Sequence, residues 1–87
     1  MNCFVYIIYS KSADLFYVGA TNDVNRRIER HNSGVETFSK KYRPWQLVWF
    51  TKKPNKAEAF KLEKKLKNLS KSRKLEFIKK YSNDDEA

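Results

Sequence analysis

Cysteine is nearly absent from this chain of 87 residues, and Cys3 has no second cysteine with which to form an intramolecular disulfide or a cysteine zinc site. A bacterial-type cytoplasm is therefore the expected compartment. Histidine is as scarce: with His31 alone, a histidine metal cluster is excluded and any metal site must rest on carboxylates. No serine–histidine–acid set is evident, and there is no glycine-rich phosphate loop, internal repeat or low-complexity linker. Long hydrophobic runs are also missing. The longest, residues 3–9, falls well short of the ~20 apolar residues of a transmembrane span. No charged flank, apolar core and small-residue cleavage site mark a secretion signal.

Acidic charge is in short supply: Asp and Glu number 10 against 19 Lys and Arg, for a net charge of +9. Asp84, Asp85 and Glu86 cluster at the far end, so the rest of the chain is more basic still. Solubility in a small domain asks for a net charge of only about 2–8. The excess points to a polyanionic partner, nucleic acid rather than membrane. A chain that is 40% hydrophobic and 15% aromatic should fold. Its length suits one domain over residues 1–81, acting as a monomer, with 82–87 expected to form a disordered polar, acidic tail.

Residues 3–9 and 14–20 are rich in Val, Ile, Tyr and Phe and flank Ser10 to Ala13, the pattern of a β-hairpin. Pairing Tyr9 with Asp14 sets Tyr6 directly opposite Tyr17 and Ile8 opposite Leu15. Thr21, Asn22 and Asp23 are helix-capping types ahead of Val24, Ile28 and His31, and Gly34 suits the stop of that helix. Residues 35–45 read as a basic loop, and QLVWFT (46–51) as a third strand. Asn55 caps a second helix with the stripe Ala59, Leu62, Leu66 and Leu69, and Ser70 or Ser72 caps a third carrying Leu75, Ile78 and Tyr81. The order β-β-α-β-α-α gives an α+β fold, a three-stranded antiparallel sheet flanked by three helices.

Arg27 and His31 stand four apart on the first helix and share its inner face with Val24 and Ile28, while Arg26 and Arg30 lie on a more exposed face. Arg27 could clamp phosphate or simply pair with Asp23; His31 could act in chemistry or sit as a cation in the last helical turn. Glu63 borders the apolar stripe of a lysine-rich helix, where it could hold a divalent cation or pair with Lys67, with Glu58 a weaker rival. Tyr6 and Tyr17 could pack or react. Trp45, Trp49 and Phe50 could be core or an exposed docking patch.

Taken in order, FVYII, then YVG eleven residues after the first tyrosine, then RRIERH and AEAFKLE resemble the GIY-YIG nuclease superfamily, and in particular its small stand-alone bacterial members. The likeness spans about residues 3–80. Val5 and Tyr6 match the end of the first motif, and Tyr17, Val18 and Gly19 the second, with Phe4 in place of the first glycine. Ala20 stands where some repair nucleases of the superfamily carry a lysine, a role that would pass to Lys40 or Lys41. The resemblance implies a metal-dependent endonuclease acting on phosphodiester bonds, in DNA more than RNA, structure-selective or non-specific. It assigns Tyr6, Tyr17, Arg27 and His31 to catalysis and Glu63 to a single Mg²⁺ or Mn²⁺. Tyr17 would be the general base, with Tyr6 orienting water or exchanging that role. A tyrosine has a reference pKa of about 10, so base function asks for a nearby cation. Arg26, Arg30, Lys40, Lys41 and Arg43 would hold the backbone of the nucleic acid. Two alternatives stay open from sequence: a binding module of the same fold that does not turn over, and a basic accessory protein.

Overall fold

The computed structural model describes residues 3–81; the expected acidic tail, 82–87, lies outside them. β1 (Cys3–Ser10) and β2 (Leu15–Thr21) form a hairpin, followed by α1 (Val24–Ser33), the one-turn α2 (Thr37–Lys40), β3 (Trp45–Lys53), α3 (Lys56–Lys67) and α4 (Lys71–Tyr81). All pairings are antiparallel, and the strand order is β2-β1-β3. This is the expected α+β architecture with one addition: residues 35–45, read as loop, contain α2 and the start of β3.

The central strand explains why residues 3–9 lack the alternation of a half-exposed strand. Helices cover both faces of the sheet, so every β1 side chain meets protein. Val5 and Ile7 pack with Val18, Ala59, Leu66 and Ile78 on the face covered by α3 and α4. Tyr6 and Ile8 pack with Trp45, Tyr17, Val24 and Ile28 on the face covered by α1.

The hairpin register differs from the expected one by two residues: Tyr6 lies opposite Gly19, Ile8 opposite Tyr17 and Ser10 opposite Leu15. Tyr6 and Tyr17 are thus diagonal rather than directly paired, yet still on one face, because an even shift preserves facing. The turn closes one residue later, with Asp14 in the left-handed region at φ 54°. A carboxylate suits that position, since Asp14 accepts the Tyr9 hydroxyl at 2.6 Å and also pairs with Lys71 of α4.

β3 carries a bulge. Ile7 faces Trp49 and Ile8 faces Leu47, leaving Val48 as the extra residue. Without it Trp49, Leu47 and Trp45 would share one face. With it Val48 and Trp49 turn toward α3 and α4, and Leu47 and Trp45 toward α1. Trp45 is 3% exposed and Trp49 half-buried, so the imagined strand-three patch reduces to Phe50.

The helix ends follow local chemistry. Asp23 caps α1 by accepting the Arg26 backbone N–H at 3.1 Å, Asn55 caps α3 through the Glu58 N–H at 2.9 Å, and the Ser70 hydroxyl accepts the Arg73 N–H at 3.2 Å. Gly34 ends α1 in the left-handed conformation, φ 85°. Among the described residues no helix is long and apolar enough to cross a membrane.

Candidate active site

Tyr6, at the middle of the central strand, is 1% exposed. Its ring leans across the sheet over Gly19, where a Cβ would collide with the tyrosine Oη and stand 2.6 Å from its Cζ. The glycine of YVG therefore serves close approach. Beyond it the Tyr6 hydroxyl meets His31 Nε2 at 2.9 Å, a hydrogen bond between β1 and the last turn of α1.

His31 is fully buried in an aromatic setting, its ring centroid 5.1 Å from that of Tyr17, 6.0 Å from Tyr6 and 6.3 Å from Trp45. Burial pushes its pKa below the ordinary imidazole value; Glu36 opposes this, while Arg27 and Arg30 add to it. The imidazole is thus neutral at pH 7, which replaces the reading of a cation in the last helical turn. Its Nδ1 is buried with no hydrogen-bond partner among the described residues. Burial likewise pushes the Tyr6 pKa up to about 12, against the nearby Arg27 guanidinium, so this hydroxyl keeps its proton at pH 7. The buried Tyr6 hydroxyl is thus a protonated hydrogen-bonding group set against His31.

Arg27 and His31 do lie on the inner side of α1, and Arg26 and Arg30 are exposed. The partner of Arg27 is not Asp23, which is occupied as the helix cap, but Glu36. Arg27 Nη2 stands 3.3 Å from Glu36 Oε1 and 3.1 Å from Oε2, and Arg30 Nε stands 3.5 Å from the same Oε2. One carboxylate thus bridges two guanidiniums, as a phosphate could. Arg27 Nε is buried without a hydrogen-bond partner among the described residues.

Glu36 belongs to a segment pinned from two sides. The Asn32 side chain donates to the Trp45 carbonyl at 3.0 Å and accepts the Trp45 backbone N–H at 2.5 Å. The Trp45 indole N–H donates to the Ser39 carbonyl at 2.8 Å. Sequence reasoning missed Glu36, Asn32 and Ser39. The available signal for the first was a lone acid inside a basic stretch.

Glu63 stands apart. Its helix covers the opposite sheet face, lying mainly against the edge strand β2 that carries Tyr17 on its other side. The carboxylate is 14% exposed and paired with Lys67 at 2.9 Å. Glu58 is exposed. No group of three or more His, Cys, Asp or Glu suited to a metal is found among the described residues. A single, largely covered carboxylate fits a hard cation of the Mg²⁺ kind, which keeps several waters and takes its other ligands from substrate phosphate. Lys40, Lys41 and Arg43 are exposed near α2, with Arg43 Nη1 donating to the Asn32 carbonyl at 3.4 Å.

Comparison with known proteins agrees with this architecture. The family model described as the GIY-YIG catalytic domain matches residues 2–82. UPF0213 proteins of Staphylococcus aureus, strains COL and USA300, are each 39% identical over 77 residues, covering 87% of this chain and 93% of their own length. The solution NMR structure of a UPF0213 protein from Bacillus halodurans superposes with a TM-score of 0.62 at 35% identity, over 93% of this chain and 86% of that one. With its family model matching nearly end to end over a hairpin, helix and strand that bring two tyrosines, an arginine and a histidine together, the chain belongs to the GIY-YIG family.

Proposed function

We propose that the protein is a divalent-metal-dependent endonuclease that hydrolyses phosphodiester bonds in DNA, working as a monomer in the cytoplasm. The observation that carries this reading is the grouping of Tyr6, Tyr17, Arg27 and His31 on one sheet face, with the arginine already holding a carboxylate in the manner of a phosphate.

Hydrolysis needs a base for the attacking water, in-line geometry and cations for the charge that grows on the phosphoryl oxygens. Tyr17 is the half-buried tyrosine and so the one that water and substrate reach; it takes the base role. Tyr6, protonated and bonded to His31, fixes the imidazole on one side of Tyr17 instead of exchanging roles with it. Arg27 turns from Glu36 to the phosphate, and an arginine presented to a phosphoryl transition state can contribute about 10³–10⁵ in rate. Arg30, Arg26, Lys40, Lys41 and Arg43 hold flanking phosphates. Glu63, freed from Lys67, would hold one Mg²⁺ or Mn²⁺, whose chemistry is that of a Lewis acid on a phosphoryl oxygen.

The test is cleavage of labelled single-stranded, duplex, flap and branched DNA, and matching RNA, with Mg²⁺, Mn²⁺ or chelator. Wild type runs beside Arg27→Ala and Glu63→Ala prepared identically. Metal-dependent cutting lost in both variants, each still folded by circular dichroism, is the expected result. A second reading, nucleic-acid binding without turnover, is favoured by one fact: both charged groups start out engaged, Arg27 by Glu36 and Glu63 by Lys67. Tight binding with no cutting, or equal cutting by all three proteins, would select it.

A further inference from the structure

Packing uses only part of Phe38. It stands on α2 with 52% of its surface exposed, although the turn that carries it is fixed by the buried Ser39, whose carbonyl takes the Trp45 indole N–H. The ring is therefore held outward rather than left loose. Its inner edge meets Tyr17, centroids 5.8 Å apart and planes inclined by 33°, and Tyr42 at 5.3 Å in an edge-on contact. Phe38 thus extends the aromatic series of His31 and Tyr17 out to the surface. Exposed Arg30, Lys40 and Lys41 belong to the same segment and to the adjoining helix.

We infer that Phe38 stacks on an unpaired nucleobase beside the phosphate to be cut, making single-stranded or frayed nucleic acid the preferred substrate over continuous duplex. The inference rests on the nuclease-site reading above and names its substrate class. A flat apolar ring among cations matches a nucleotide, whose base offers a π-face and whose phosphate offers charge. The match holds only for an unpaired nucleotide, since inside a duplex the neighbouring pairs already cover both faces of each base. The ring reads no sequence, because every base has a face to stack.

The experiment measures binding in chelator, so it does not depend on cleavage. Wild type, Phe38→Ala and Phe38→Trp are titrated with a single-stranded oligonucleotide, a flap and a covalently closed, relaxed circular duplex without unpaired bases, with 2-aminopurine at the unpaired position of the first two. Phe38→Ala should weaken binding to the single strand and flap about tenfold, leave the circular duplex unchanged and abolish the change in 2-aminopurine fluorescence. Phe38→Trp should restore both. Equal weakening on all three ligands, no weakening on the unpaired ones, or no nucleic-acid binding at all would overturn the inference. Failure of the wild type to cut DNA or RNA with metal would overturn the nuclease reading and leave the stacking result standing.

Discussion

Gly19 and His31 owe their roles to Tyr6. Because the Tyr6 ring fills the space where a Gly19 side chain would start, Gly19→Ala should destabilise the fold by the ~1–3 kcal/mol typical of overpacking, read as a lower urea midpoint with unchanged slope. Tyr6→Phe removes the nearest atom but not Cζ, so the double variant should recover part of the loss. Full recovery or none would mean that the ring is not what excludes the methyl. His31 sets a pH dependence. Its folded pKa lies below the unfolded value of about 6.5, so in that interval the unfolded chain binds more protons and acid favours unfolding. This contribution to stability is complete above about pH 6.5 and is lost as pH falls through the folded value. As the only histidine in the chain, it can be followed by its own imidazole resonances. Titration at or above the free value would contradict the buried, neutral ring, and His31→Gln should flatten the stability profile below about pH 6.5.

What was legible in the chain were elements whose cause is local. The caps Asp23 and Asn55, the stop at Gly34 and the inner stripe of α1 stand where composition puts them, because a helix end is decided within a turn of sequence. The register of the hairpin was not legible. A slip of one residue would have turned Tyr6 to the wrong face, but a slip of two leaves every facing intact, so the hydrophobic pattern cannot detect it. The residues from Val35 to Trp45 were misread for a different reason. α2 is a single turn stabilised by the Trp45 indole and the Asn32 clip, contacts that exist only after β3 has docked. The same tertiary packing brings Glu36 onto Arg27 and Arg30, and it yields a prediction. If Glu36 competes with phosphate for these guanidiniums, Glu36→Gln should tighten DNA binding severalfold in fluorescence anisotropy at low salt, with a gain that shrinks as salt rises. Weaker binding would mean instead that the carboxylate is needed to hold Arg27 in place.

The molecule divides its positive charge between two faces; the proposed base and phosphate clamp lie on one of them, while the proposed metal carboxylate, Glu63, belongs to α3. Arg26, Arg27, Arg30, Lys40, Lys41 and Arg43 cluster on and after α1, on the side of Tyr6 and Tyr17, whereas the lysines of α3 and α4 belong to helices packed over the opposite sheet face. Net charge cannot distinguish these faces, and from sequence the helical lysines look equally fit to hold a polyanion. Counterion release can. Each phosphate neutralised on duplex DNA contributes about −0.9 to the slope of log affinity against log salt, and about −0.7 on single strands. Four or five contacts from the first group therefore give a slope of about −3 to −4.5. Lys40→Gln with Lys41→Gln should make that slope shallower by about 1.4–1.8, while Lys79→Gln with Lys80→Gln, exposed positions near the end of α4, should leave it unchanged despite the same loss of charge. Equal effects from the two pairs would show a diffuse electrostatic attraction to the whole protein, and a larger effect from the α4 pair would move the nucleic acid to the α3–α4 face, away from Tyr17.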